Sequence, residues 1–259
     1  MDPRPYEHLK VEFADGVITV ELDRPEKRNA INLVMAKELH RVVEEHAYRT
    51  DARVLVFKGA GSSFCAGFDV STDFAQQSLR ERWLEASVLT ATFEAIAAAP
   101  VVKVAQLQGH VVGAGLILAT VCELRYATST ARFFVPELDM GIPFSLGGVS
   151  QLAKFVGLTR TADMVLNCTS LAADHPDAGK LISELVPADN LDARVREVSA
   201  RLAARPSSLV LATLSALRQA GDDLVSPPAN DLLTMFFTQD DSEAAAVNRA
   251  YAKHFSRAG

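Results

Sequence analysis

The stretch Gly59-Ala60-Gly61-Ser62-Ser63-Phe64-Cys65-Ala66-Gly67-Phe68-Asp69 decides how this chain is read. It follows Val54 to Phe57, an apolar run of the kind that forms a buried strand, and a strand ending in clustered Gly and Ser ends in a working loop. Glycines at 59, 61 and 67 let the backbone turn sharply, so amide N–H groups can point into a site instead of into a ladder. Such a loop can hold a developing negative charge.

Around that loop, 259 residues with 49% apolar content suffice for one main domain and an appendage. A net charge of −6 argues against a nucleic-acid surface or general affinity for anionic membranes, so an anionic ligand must meet a local basic patch. Cys65, Cys122 and Cys168 lie far apart with no CxxC pair, which suggests neither a disulfide framework nor a metal site. Met1 to Lys10 lacks the apolar core of a secretory signal, and no apolar run is long enough to span a bilayer. The expectation is a cytoplasmic protein.

Upstream, Val11 to Leu22 alternates about Asp15-Gly16 and predicts a hairpin. Arg24 to Ala30 is a basic loop, and Asn32 is placed to cap a helix carrying Leu33, Met35, Ala36, Leu39 and Val43. Downstream, Ser71 to Arg82 reads as a polar helical cover and Leu84 to Ala99 as a helix ended by Pro100. Val101 to Leu107 is a strand, Gln108 to Gly115 a loop, and Leu116 to Val121 a helix. Leu124 to Thr128 and Ala131 to Phe134 are short strands. Val149 to Val156 and Thr159 to Leu166 are helical, and Glu184 to Pro187 is a last edge strand. From Leu191 the pattern is helical, broken at Arg205-Pro206, Gly221 and Ser226-Pro227-Pro228. Strands alternating with helices give an α/β class, with ligands at the carboxyl ends of strands.

From Val11 to about Val186 the chain resembles the crotonase, or enoyl-CoA hydratase/isomerase, family. The resemblance is carried by Arg24-Pro25-Glu26-Lys27-Arg28-Asn29-Ala30, by Gly59 to Asp69, by Gly109 to Gly115 and by Pro136-Glu137, four motifs in order. It implies a spiral of ββα units over residues 1–190 and a helical trimerisation or cover region over 191–259. A homotrimer or a dimer of trimers follows from the same resemblance. So does enolate chemistry on an acyl-CoA thioester, with no cofactor besides the CoA substrate. By motif position the oxyanion donors are the main-chain N–H groups of Phe68 and Ala114, within Gly113-Ala114-Gly115. Ala114 stands where a helix begins, so an orphan N–H and the helix dipole both favour an oxyanion. By the same matching, Ala66, Asp69 and Val70 line the adenine and pantetheine path, Lys27 or Arg28 meets CoA phosphates, and Ala30 is a further CoA- or substrate-binding candidate.

Hydratases of that family carry two glutamates. Here the first position is Ile117 and the second is Glu137, so one of the two groups that activate water is replaced by a hydrocarbon. One carboxylate beside an oxyanion hole suffices to move a proton between carbons, as in single-glutamate Δ3-Δ2-enoyl-CoA isomerases. Apolar neighbours such as Ile142 and Phe144 would raise the pKa of Glu137 into a useful range. Ser145 is a further candidate for a bond to substrate. Hydration remains the enzymatic alternative, and an acyl-CoA-binding protein without turnover the alternative of another class. Gly113 to Ala119 also imitates part of a dinucleotide fingerprint. That fingerprint requires a strand running into its first glycine and an acidic residue ending the next strand; Gly109-His110 and the end of Leu124 to Thr128 supply neither.

Overall fold

The computed structural model describes residues 5–70 and 78–222. Ser71 to Gln77, most of the expected polar cover, lies outside these residues, as do Ser226-Pro227-Pro228 and the rest of the chain after Asp222.

The hairpin forms as read. β1 (Leu9–Ala14) pairs antiparallel with β2 (Val17–Leu22) in the register Leu9 with Leu22 through Ala14 with Val17. Asp15 and Gly16 have φ of 52° and 79°, the left-handed pair that a two-residue turn between twisted strands requires. Asn32 then caps α1 (Leu33–Val42), its side chain accepting a hydrogen bond from Met35 N.

β3 (Val54–Gly59) lies parallel to β2, and β4 (Val102–Leu107) lies parallel to β3. Four consecutive residues of β3 are buried because the sheet is covered on both faces. Leu55 and Phe57 join Met35, Leu39, Phe93 and Ile96 on the side of α1 and α2 (Leu79–Ala98), while Val54 and Val56 meet Val195 and Val198 of α5 (Leu191–Ala203). α2 starts at Leu79, earlier than the expected Leu84. The reason is a capping box: Ser78 Oγ accepts from Glu81 N while the Glu81 carboxylate accepts from Ser78 N.

Between β4 and α3 (Ala114–Thr120) the expected loop contains a strand, β5 (His110–Val112). It starts a second sheet, pairing parallel with β7 (Arg132–Phe134), which pairs antiparallel with β8 (Leu171–Ala172). The first sheet continues through β6 (Leu124–Ala127) to β9 (Glu184–Leu185), the expected edge strand, giving the order β1-β2-β3-β4-β6-β9. β5 and β8 escaped the sequence reading because each is too short for alternation to register. β5 also runs directly into Gly113, so one of the two grounds against a dinucleotide fingerprint fails. The other stands, since β6 ends in Tyr126-Ala127 without a carboxylate.

The two expected helical segments after Gly147 form as read, end to end within α4 (Gly148–Leu166), and are separated at Gly157, whose φ of 76° and ψ of 164° are not helical. Beyond α5 comes α6 (Ser207–Asp222), which contains Gly221 instead of being broken there. Buried Arg125 donates through Nε to Leu181 O and through Nη1 to Cys122 O, fixing the far end of α3 against the β8–β9 connection. No helix among the described residues is long and apolar enough to cross a membrane.

The basic loop is locked to the Gly59–Asp69 loop by a buried ion pair. Arg24 Nη1 lies 2.8 Å from Asp69 Oδ2 and also donates to Ala30 O at 2.6 Å, the two side chains only 12% and 8% exposed. Arg24→Ala leaves the Asp69 carboxylate buried beside an empty space. It is expected to lower the midpoint of urea unfolding, by a loss on the order of 3 kcal/mol, whereas Lys10→Ala at an exposed pair moves the midpoint little.

Candidate active site

The Gly59–Asp69 loop is held on both edges by main-chain bonds. On one side Ile31 N donates to Gly67 O at 2.8 Å and Ile31 O accepts from Asp69 N at 2.9 Å. On the other, Cys65 N donates to His110 O at 2.9 Å and Cys65 O accepts from Val112 N at 3.0 Å. In a parallel bridge, the residue flanked by the bonded groups turns its own N–H to the opposite side. The N–H of Phe68, bridged to Ile31, therefore faces β5 and α3. The two loops nearly touch: Gly67 has φ 98°, and a Cβ there would lie 3.0 Å from Val112 O and 3.7 Å from Ala114 N.

Ala114 N stands at the first position of α3, where no intrahelical acceptor exists. α3 spans only seven residues, so the macrodipole expected from sequence is short, and the orphan N–H carries the larger part of any attraction for an oxyanion. Gly113, with φ 50° and ψ −118°, sends its N–H to Phe134 O at 3.0 Å. Its missing side chain makes room for Glu137, whose Oε1 would overlap any Cβ built at 113.

Phe68, Ala114, Ile117 and Glu137 line one cavity, enclosing about 690 Å³ of empty space with its mouth included. Ile142, Phe144, Ser145 and Leu146 close it from the segment after Glu137, and Arg82, Glu85, Ala86 and Leu89 from α2. Glu137 is anchored by its main chain, its carbonyl accepting from Met140 N and Ile142 N in a tight turn. Its Oε2 is buried without a hydrogen-bond partner among the described residues. Burial in this apolar setting pushes its pKa up to about 7 from 4.5, a hydrogen bond from its own backbone opposing slightly.

The remaining candidates lie beside the loop, outside the cavity lining. Lys27 and Arg28 are exposed on the turn Pro25–Lys27 and the left-handed residue after it, and Arg28 O accepts from Ala66 N at 2.9 Å. Ala30 is buried, Ala66 half-buried and Val70 exposed. Asp69 is engaged by Arg24, a partnership the sequence reading did not foresee. Cys65 is fully buried and its thiol is pushed up to about 12 by desolvation, which leaves it a packing residue.

Arg82 and Glu85 are the polar cavity residues that sequence reasoning missed. A polar helical cover followed by a helix from Leu84 gives no direction for either side chain. The Ser78-to-Glu81 capping box fixes where α2 begins, and counting from it places 82, 85, 86 and 89 on one face.

Comparisons with known proteins agree with this geometry. The sequence pattern of the family described as "Enoyl-CoA hydratase/isomerase" matches residues 12–248. "Probable enoyl-CoA hydratase echA6" of Mycobacterium tuberculosis is 32% identical over 210 residues, 80% of this chain and 83% of that protein. The human mitochondrial "Delta(3,5)-Delta(2,4)-dienoyl-CoA isomerase" is 29% identical over 254 residues, covering 91% of this chain and 77% of the relative. Among solved structures, an enoyl-CoA hydratase from Mycobacterium avium subsp. paratuberculosis superposes with a TM-score of 0.82 at 26% identity, over 96% and 97% of the two chains. An enoyl-CoA hydratase/isomerase from Xanthobacter autotrophicus Py2 shares the fold, with a TM-score of 0.85 at 22% identity over 98% and 96% of the chains. Two mixed sheets with C-terminal helices make this the crotonase fold. The chain belongs to the enoyl-CoA hydratase/isomerase family and is an acyl-CoA enzyme of that family.

The raised pKa of Glu137 has a thermodynamic signature. Between pH 4.5 and about 7 the folded protein binds a proton that the unfolded chain has released, so this group's contribution to stability falls as pH rises through that window. Glu137→Gln removes the effect. The variant is expected to be more stable than the parent at about pH 8, by up to roughly 3 kcal/mol, with the difference vanishing near pH 4; thermal melts at the two pH values measure it.

Proposed function

We propose that this enzyme isomerises an enoyl-CoA thioester from Δ3 to Δ2, with Glu137 carrying the proton and the main-chain N–H groups of Phe68 and Ala114 donating to the thioester oxygen. The observation that carries the reading is the unpartnered, buried Oε2 of Glu137, on a side chain seated against Gly113, one residue from the Ala114 donor. The Glu137 carboxylate takes the proton from the carbon next to the thioester: the C–H bond breaks, an O–H bond forms, and the electron pair moves through the carbonyl to its oxygen. The two N–H groups hold the resulting dienolate, each worth about 3 kcal/mol of barrier when suitably placed. Protonated Glu137 then returns the proton to the γ carbon, and the double bond comes to rest in conjugation with the thioester. A carboxyl near pKa 7 suits both half-steps, since neither proton transfer runs far uphill at neutral pH.

Ile117 supports isomerisation over hydration. It is 3% exposed and lines the cavity one turn along α3 from Ala114, so α3 brings hydrocarbon where the family's hydratases bring a second carboxylate. In this reading Lys27 and Arg28 meet the CoA phosphates. Ala30, Ala66 and Val70 flank the adenine and pantetheine path, with Asp69 fixing the loop that carries them. Gly113 shapes the seat of the base, and Ser145 offers a hydroxyl to substrate. The region 191–259 serves as cover and trimer contact, in keeping with the exposed Leu209 and Leu217 on α6.

A second reading has its own observation. Glu85 brings another carboxylate to the cavity from α2, and the human relative is named a Delta(3,5)-Delta(2,4)-dienoyl-CoA isomerase. With Glu137 and Glu85 on separate walls, one carboxylate takes the proton from C2 of a 3,5-dienoyl chain and the other, in its protonated form, gives a proton to C6, so that the double bonds come to rest at 2 and 4.

Turnover of 3-enoyl-, 3,5-dienoyl- and 2-enoyl-CoA, followed by absorbance, separates these readings. Isomerisation predicts that 3-enoyl-CoA is the best of the three and that Glu137→Gln slows it at least about a thousandfold. It also predicts that kcat/KM rises with pH through an apparent pKa near 7. Fastest turnover of the dienoyl thioester, with equal losses in Glu85→Gln and Glu137→Gln, moves the assignment to the second reading. Tight binding with no turnover of any thioester sinks both and leaves a binding protein.

In the same assay Gly113→Ala tests the seat of the base. Its methyl group claims the space of Glu137 Oε1 and holds the backbone at a left-handed φ that alanine disfavours. A loss of about a hundredfold or more in kcat is expected, with the circular dichroism of the fold retained.

A further inference from the structure

Arg82 stands on the wall of the cavity as a cation without a protein partner. Among the described residues its guanidinium makes neither a hydrogen bond nor an ion pair, and Nε is buried. Arg41 and Arg218 also bury an Nε without a hydrogen bond, but each is engaged, Arg41 by Glu45 and Arg218 by Ala98 O and Ala99 O, as are Arg24 by Asp69 and Ala30 O and Arg125 by Leu181 O and Cys122 O. A buried donor left unmatched is costly, and more so when charged. Helix stability does not call for it either, because a cation in the first turn of α2 opposes the dipole.

The wall around it is mostly hydrocarbon, from Phe68, Ile117, Phe144 and Leu146. A plain acyl chain filling this space would strip water from the guanidinium and give nothing back. We infer that Arg82 is a specificity residue: the acyl chain of the natural substrate carries an oxygen acceptor beyond the reacting carbons, and Arg82 donates to it. Two kinds of oxygen fit a guanidinium. A terminal carboxylate matches its fork geometry. A neutral carbonyl avoids the like charge of Glu85, one turn further along the same face.

This inference rests on the cavity being the acyl-thioester site, and binding tests it apart from catalysis. Calorimetric Kd values for three saturated, unreactive thioesters of equal chain length, hexanoyl-CoA, adipoyl-CoA and 5-oxohexanoyl-CoA, are compared for the parent and for Arg82→Met. The expected result is that adipoyl-CoA, 5-oxohexanoyl-CoA or both bind the parent about tenfold or more tighter than hexanoyl-CoA, and that Arg82→Met brings the ratio towards one. The tighter of the two identifies the kind of oxygen. Hexanoyl-CoA binding as well as or better than both overturns the inference, as does a preference that survives Arg82→Met. Binding of none of the three overturns it together with the acyl-CoA reading, whereas an oxygen preference in a protein that turns over no enoyl thioester removes only the proposed isomerisation.

Discussion

Everything in the site depends on the Gly59–Asp69 loop being stitched along both edges, to Ile31 on one side and to His110 and Val112 on the other. Four main-chain hydrogen bonds turn what would be a mobile surface loop into a strand-like strip with fixed polarity. Because Ile31 uses the groups on either side of Phe68, the N–H of Phe68 is left facing the opposite way, towards α3. That orientation comes from pairing register and from no feature of the phenylalanine itself, so side-chain changes at 68 should leave the direction of this N–H unchanged while register changes would not. The buried Arg24–Asp69 pair and the side chain of Asn29, whose amide donates to Ala60 O and Ser63 O, tie the same strip to the basic turn.

The walls facing that strip come from two independent sources. Glu137 rides on a tight turn after β7, its main chain bonded to Met140 and Ile142, and burial, not a neighbouring charge, raises its carboxyl pKa to about 7. Arg82 and Glu85 ride on α2, whose start is set by Ser78 and Glu81. Thr92 Oγ1 donates to Ala36 O at 3.1 Å, docking α2 on α1 and fixing its rotation. Because burial raises this pKa, the protonation of the carboxyl is sensitive to whatever admits water to the cavity.

Much of this was legible in the residues. The hairpin, the Asn32 cap, the buried β3 and the kinked pair within α4 follow from alternation, capping chemistry and glycine placement, which are local. The motif order pointed to the family, and hence to Phe68, Ala114 and Glu137, all of which line one cavity. What stayed hidden is non-local or too short to register. β5 and β8 have three residues and two, and they are strands only because partners lie beside them. The engagement of Asp69 by Arg24 joins residues 45 positions apart and has no sequence signature. The directions of Arg82 and Glu85 are set by the start of α2, which the Ser78–Glu81 capping box marks in the sequence. With the box recognised, their face follows from helical geometry.

The division of labour between the two walls bears on how such an enzyme diversifies. An α-helix advances about 100° per residue, so moving the start of α2 by one position would swing a different row of side chains over the substrate while the strip and the carboxyl stayed where they are. A lineage can therefore reshape the cavity by editing the few residues that begin one helix, leaving the inherited strip and the buried carboxyl intact.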